Sequence, residues 1–290
     1  VFRKLRFGAV DAKRVYLDLP RDDEPFEFPR WPESLPALDL PFSLEIGKLQ
    51  ISDLQIAQNR QLVYSLKQLS GGFSLKPGSL SIPALHAVST DGTLTLNGFY
   101  QPNHRYQTKL QGVAAMKPRS GGLEQSLQFN AEGDDKRFII SIDGDMPDPV
   151  HLQWQLSSRN QKPFWNLEAK STRFQPKLLG LADESIYRFD LTASGDQARI
   201  ELQGELSRDG QTVVVKPSRL KIEKERVVLE RLQLLFGGGQ FSAKGSVRGQ
   251  GELGTDGLAV AVVGYPLPLQ GKAANGQVLP VVSGTVQLSG

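Results

Sequence analysis

Apolar residues alternate with polar ones along much of the chain. In "TLTLNGF", Leu94, Leu96 and Gly98 fall on one side, and Thr93, Thr95 and Asn97 on the other. "RYQTKL" groups Tyr106, Thr108 and Leu110. "HLQWQL" groups Leu152, Trp154 and Leu156, and "WNLEA" groups Trp165, Leu167 and Ala169. "IELQGEL" carries Ile200 and Leu202, then Leu206. A period of two predicts half-buried β-strands, apolar side inward. Turn-forming residues fall between and around these runs: Gly71-Gly72, Asp91-Gly92, Gly133-Asp134-Asp135, Asp143-Gly144, Gly195-Asp196, Asp209-Gly210 and Gly237-Gly238-Gly239. Glycine supplies the positive φ of tight hairpins, and Asp tolerates it. Their spacing predicts roughly twenty strands in long antiparallel meanders. Helix signals are confined to "FQPKLLGLADES", 174–185, with Pro176 in a first turn and Gly180 limiting it.

A second pattern breaks the alternation. "LEIGKLQISDLQI", residues 44–56, pairs apolar residues two apart, skips two positions and repeats. The same order recurs at Leu80, Ile82, Leu85 and Ala87, and at Val227, Leu229, Leu232 and Leu234; Leu5, Phe7 and Val10 repeat it in part. In a straight strand each skip would turn the following apolar residues to the opposite face. A β-bulge, or a corner that starts a new strand, keeps them on one face and bends the sheet. The skips at Gly47-Lys48 and Ser52-Asp53 therefore predict bends, and a curved sheet with an apolar concave face. Periodicity alone favours a plainer solution, a large β-sandwich whose second sheet covers that face.

Composition narrows the chemistry. Apolar residues make up 39% of the 290, and the net charge is +3 with acids and bases interleaved, as in Lys221-Ile222-Glu223-Lys224-Glu225-Arg226. That is a mixed solvated surface, not a nucleic-acid footprint. With no cysteine there is no disulfide, thiolate metal site or cysteine nucleophile. No apolar run reaches the roughly 18 residues of a membrane-spanning helix. His86, His104 and His151 form no ligand-spaced pair. "DGDMPD" lacks the full calcium-loop pattern, and "FGGGQF" lacks the Lys-Ser/Thr of a phosphate loop. No Gly-x-Ser-x-Gly elbow occurs. The expectation is a non-enzyme with no cofactor and no metal.

Residues 20–41, "PRDDEPFEFPRWPESLPALDLP", hold six prolines and an acidic cluster. They predict an extended loop or linker, because proline cannot donate to a ladder. Another loop, followed by a terminal strand, is expected within 264–290. Val1-Phe2-Arg3 looks like the middle of a strand, so the chain is expected to be an internal piece of a longer protein, forming one elongated segment over 1–290.

"LDLPFSLEIGKLQISDLQI" resembles the Leu-Pro-x-x-x-x-Ile-x-x-Leu-x-Ile-x-x-Leu-x-Ile run of TamB-type proteins, where it follows a proline-rich acidic insertion like 20–41. "LSIPALHAVSTDGTLTLNGFYQPNHRYQTKLQG" (80–112) and "VVLERLQLLFGGGQFSAKGSV" (227–247) resemble their recurrent unit, an amphipathic strand, a short link and Gly-x-Leu-x-Leu-x-Gly or its Phe/Ala variant. "PFWNLEAKSTRFQPKLLG" is similar to a further habit of the family, and AsmA-like relatives share the style. The resemblance implies an all-β fold: a long, curved, rolled antiparallel sheet, an open groove with an apolar interior and at most one or two short helices. It also implies a periplasmic conduit of a Gram-negative bacterium that shields phospholipid acyl chains between the inner and outer membranes. The inner membrane would be reached through an N-terminal helix, and a TamA-like outer-membrane barrel through a C-terminal region. Help in outer-membrane protein assembly, as a chaperone or scaffold, is the alternative role, and a plain structural β-domain is another.

An acyl chain of about sixteen carbons gains roughly 12 kcal/mol on leaving water, at about 0.8 kcal/mol per methylene. An apolar groove can hold it without specific contacts, and many similar weak sites suit passage better than one deep pocket. The expected groove positions are Leu94, Leu96, Tyr106, Leu110, Leu152, Trp154, Leu156, Trp165, Leu167, Ile200, Leu202, Val227, Leu229, Leu232 and Leu234. The competing explanation for each is ordinary core packing.

Overall fold

The computed structural model of the chain describes residues 3–19, 37–38, 41–117, 124–145, 147–159, 162–176, 183, 185–196, 198–223, 226–250, 252–266 and 281–288. Among these residues the regular elements are twenty strands and one short 3-10 turn, Pro102–His104. The all-β expectation and the strand number are met. The chain divides into two compact units, Val1–Pro163 and Phe164–Gly290.

The first unit holds β1 (Arg3–Ala12), β2 (Val15–Leu19), β3 (Phe42–Ile51), β4 (Leu54–Gln58), β5 (Gln61–Leu66), β6 (Gln68–Lys76), β7 (Ser79–Val88), β8 (Gly92–Gln101), β9 (Gln107–Met116), β10 (Gln125–Gly133), β11 (Arg137–Gly144) and β12 (Val150–Arg159). β1 pairs with β3 in parallel. From β3 an antiparallel ladder runs through β6, β7, β8, β9, β10 and β11 to β12. β2, β4 and β5 form a separate three-stranded sheet.

That small sheet comes from the broken strands. β1 gives way to β2 at Lys13-Arg14, β3 to β4 at Ser52-Asp53, and β5 to β6 at Lys67. The breaks are stitched by backbone bonds: Ser52 N–H donates to Ala12 C=O (2.9 Å), Val15 N–H to Asp53 C=O (2.7 Å) and Lys67 N–H to Val88 C=O (2.7 Å). In the corner, Leu49, Ile51 and Leu54 are buried against Val10, Ala12, Val15, Ile56, Leu66, Leu69 and Phe73. The apolar faces of the two sheets thus meet across the corner. The skip at Ser52-Asp53 is a corner, and the skip at Gly47-Lys48 is a bulge: Ile46 faces Phe73 and Leu49 faces Gly71, two residues opposite one.

The other skips behave alike. In β7 the register shifts between Ile82 and Leu85, with Pro83-Ala84 opposite Asn97. Proline is tolerated there because a bulge leaves a donor position unpaired. Gly71-Gly72, expected to be a turn, instead lies inside β6. It sits against the β3 bulge at φ 144°, and a side chain on Gly71 would meet the Ala84 carbonyl oxygen at 2.2 Å. Asp143-Gly144 ends β11, with the turn following it. Tyr106 does not extend the strand of Thr108 and Leu110. It lies in a turn at φ 58°, and β9 begins at Gln107.

The second unit holds β13 (Lys162–Phe174), β14 (Tyr187–Gly195), β15 (Arg199–Arg208), β16 (Gln211–Ile222), β17 (Arg226–Phe236), β18 (Gly239–Gln250), β19 (Glu252–Pro266) and β20 (Val281–Leu288). They pair antiparallel in chain order. Bulges recur at Lys216-Pro217 opposite Gln203, Glu230-Arg231 opposite Lys244, and Gly257-Leu258 opposite Gly245. Each unit is therefore built on a curved, open and mainly antiparallel sheet rather than on half of a closed sandwich. The proline-rich stretch 20–36 and the second loop, 267–280, lie outside the described residues. So does most of the expected helix 174–185, whose first residue, Phe174, ends β13.

One buried hydroxyl holds a bulge together. Ser218 Oγ donates to Lys216 C=O (2.7 Å) and accepts the Gln233 N–H (3.1 Å) where the β16–β17 register slips. Ser218→Ala strands that N–H, so it is expected to lower unfolding free energy by roughly 1–3 kcal/mol in urea titrations. An unchanged midpoint would show that the hydroxyl does not support the bulge.

Candidate functional site

Directly opposed residues of paired strands point to the same face, so the register assembles the apolar residues into rows. In the first unit one row runs Leu80, Tyr100, Thr108, Gly133, Phe138 and Leu156. The next runs Ile82, Gly98, Leu110, Ala131, Ile140 and Trp154, and the third Leu85, Leu96, Gly112, Phe129, Ile142 and Leu152. The fourth runs Ala87, Leu94, Ala114, Leu127, Gly144 and Val150. Because the β7 bulge restores facing, Leu80 and Ile82 share a side with Leu85 and Ala87. Leu44, Ile46, Leu49 and Ile51 of β3, and Leu5, Phe7, Val10 and Ala12 of β1, continue the same face. Rows spaced by two residues lie about 7 Å apart, so four rows make an apolar band about 20 Å wide.

The second unit repeats the arrangement. Trp165, Gly195, Ile200, Leu220, Leu229 and Gly245 form one row, and Leu167, Ala193, Leu202 and Ser218 another. A third runs Ala169, Leu191, Gly204, Val215, Leu234, Phe241 and Val262. Leu232 joins Ala243 and Val260, and Val227 joins Ile222 and Val247. Phe236 and Tyr265 stack at 6.5 Å, and Phe241 meets Tyr265 edge-on at 5.5 Å. These rings give one border of the face an aromatic margin.

Fourteen of the fifteen expected positions thus fall on the apolar face of their own unit. Tyr106 does not, since it precedes the strand. The sequence reading missed the residues that join its separate runs into rows. Leu127 and Phe129 were visible in the alternation of "SLQFNAEG". Ile140 and Ile142 were hidden because Ile139, on the opposite face, is apolar too.

Burial shows what the face touches. In the first unit the end row is covered, with Phe138 3% and Leu156 5% exposed. Burial also raises the Tyr100 phenol to about 12, so it stays neutral. The rest of the face is mixed: Ile82, Ala87 and Ala131 are buried, whereas Leu94 is 41% and Val227 37% exposed. Among the described residues of the second unit no Leu, Ile, Val, Phe, Tyr or Trp side chain is buried. A second sheet packed on this face would have buried them.

The opposite face is more polar, though Val113, Ile139 and Val263 lie on it, and it carries cross-strand charge pairs. Arg6 pairs with Glu45 (2.9 Å), Arg219 with Glu201 (3.2 Å) and Lys170 with Asp190 (3.8 Å). His151 Nδ1 lies 2.5 Å from Asp143. These pairs are exposed, so each contributes little to stability. At the β14 end, Asp183 accepts the Tyr187 hydroxyl (2.7 Å) and the Ser185 N–H (2.9 Å). The Tyr187 bond is the main cause that lowers its pKa from 3.8 to about 2. A depressed carboxylate supports the fold fully above its unfolded value and loses that support as pH falls through the folded one. The stability difference between the wild type and Asp183→Asn is therefore expected to shrink as pH drops from 3.8 toward about 2. Paired acid titrations check this, and a constant difference across that window would contradict it.

A family model described as the N-terminal domain of TamB matches residues 22–253. No curated protein and no solved structure matches the chain.

Proposed function

The chain belongs to the TamB family, and on that premise we propose that its apolar face shields phospholipid acyl chains as they pass between the inner and outer membranes, across the periplasm. The observation that carries this reading is the face itself. It is continuous across the strands of each unit, built from aliphatic rows, and exposed at residues such as Leu94 and Val227 where a structural core would be covered. An open apolar face costs free energy in water unless something covers it, and an acyl chain needs no directional contacts. Headgroups can stay in water at the strand ends. The bulges keep the rows on one side, so the surface offers many similar weak sites rather than one deep pocket. On this reading a TamA-like barrel and the inner-membrane anchor engage other parts of the full-length protein.

A photo-crosslinking amino acid at Leu96 or Leu202, in cells making the full-length protein, tests this. Phospholipid adducts are expected from those two positions and not from Thr95 or Glu201, their neighbours on the polar face. Equal labelling of both faces, or none at Leu96 and Leu202, would defeat the proposal.

A further inference from the structure

The small sheet β2–β4–β5 carries apolar groups that the described residues leave exposed. Tyr16, Leu17, Leu19, Leu62, Val63 and Tyr64 are each between 44% and 63% exposed. They are six of the fifteen exposed large hydrophobics among the described residues, gathered on a sheet of three short strands. Register places them on different sides. Leu17 and Tyr64 flank Ile56 on the side that turns into the buried corner, whereas Tyr16 opposes Gln55 on the other. Leu62 and Val63 sit at the bulge of β5, beside the Asn59-Arg60 turn. Both turn residues have positive φ, 49° and 66°, as a tight hairpin requires.

We infer that this three-stranded flap docks shallowly into an anionic bilayer surface. A protein partner, or a second copy of this chain, packs against one face of a sheet; apolar groups on both faces are served together by a medium that surrounds the flap. The charges fit. Lys13, Arg14, Arg60 and Lys67 stand against Asp18 and Asp53 in 13–19 and 53–67, a net +2. Asp53 is within 3.5 Å of Arg14, and Asp18 accepts the Arg60 backbone N–H (2.9 Å). Cations beside anionic lipid and tyrosine rings at headgroup depth are the usual features of a membrane-interface segment. Among the described residues the outer edge of β5 pairs with no other strand, which excludes deep insertion and holds the flap where water persists. The corner cluster of Leu49, Ile51 and Leu54 makes the flap's inner side continuous with the apolar face. A docked flap would therefore let acyl chains move from bilayer to sheet without crossing water. The inference rests on the lipid-shielding reading for that consequence, but the docking itself does not.

Co-sedimentation of the purified chain with vesicles, made with and without phosphatidylglycerol, tests it. Binding to the anionic vesicles is expected, with a loss of at least about tenfold in Leu62→Ser/Val63→Ser/Tyr64→Ser. Tyr64→Trp keeps the test independent of the triple variant's folding: its emission should shift to the blue on adding anionic vesicles. No wild-type binding, equal binding by the variant, or no fluorescence shift would overturn docking. So would a concentration-dependent dimer that the triple substitution abolishes, because it would seat a second copy on the flap. Lipid absent from the wild type would instead count against the shielding proposal and leave vesicle binding to judge the flap.

Discussion

Leu202→Asp is expected to bind a fluorescent phospholipid at least about a hundredfold more weakly than the wild type, while the sheet stays folded. Leu202 stands between Ala193 and Ser218 on the apolar face and is half-buried. In the empty protein an aspartate there reaches water, and the fold loses about 1–2 kcal/mol. Under an acyl chain the same carboxylate must shed its water, at a cost of several kcal/mol. Each 1.4 kcal/mol is about a tenfold change in affinity. Leu96→Asp in the first unit should behave likewise, between Leu85 and Gly112. Thr95→Asp, one residue away on the polar face, should bind as the wild type does. Far-UV circular dichroism checks folding, and transfer between vesicles checks passage. A folded Leu202→Asp that still binds and passes lipid would remove the main support for the apolar face as a conduit.

Gly98→Val is expected to lower stability by about 3 kcal/mol or more. Gly98 opposes Ile82 beside the β7 bulge, at φ 129°. A Cβ there would lie 1.9 Å from the Lys109 carbonyl oxygen and 2.8 Å from the Leu110 Cα, both backbone atoms that cannot step aside. Gly245 fills the matching position beside the β17 bulge, at φ 135°, where a Cβ would lie 2.5 Å from the Gly257 carbonyl oxygen. Gly284, in β20, has nothing within 4 Å of the built Cβ, so Gly284→Val serves as the tolerated control. Urea titrations of the variants decide. Equal midpoints for Gly98→Val and Gly284→Val would mean that glycine is not what lets the flanking strand follow the bulge.

Those glycines explain why the recurrent Gly-x-Leu-x-Leu-x-Gly unit was legible before the fold was. The second glycine of "GTLTLNG" and of "GQFSAKG" marks the place where the neighbouring strand carries its extra residue. The period-five runs were legible for the same reason. At Gly47-Lys48, Pro83-Ala84 and Glu230-Arg231 the skipped pair coincides with a bulge, and at Ser52-Asp53 it coincides with a corner. Alternation alone misled where backbone geometry decided. Gly71-Gly72 reads as a hairpin turn by residue type, but its glycines serve a close approach inside β6. Tyr106 extends an alternating run, but the positive φ of Arg105 and Tyr106 closes a turn first. Pattern could not distinguish a covered face from an open one, because a sandwich and a groove both require apolar residues at every second position. That difference is in solvent exposure at residues such as Leu94 and Val227. The small sheet escaped notice because β5, "QLVYSL", places apolar residues at consecutive positions and so lacks a clean period.

The most direct measurement is mass spectrometry of lipid extracted from the purified chain. The account predicts copurifying phospholipid, retained by Thr95→Asp and depleted in Leu96→Asp and Leu202→Asp. A wild-type chain that is folded, carries no phospholipid and takes none up from vesicles would contradict it.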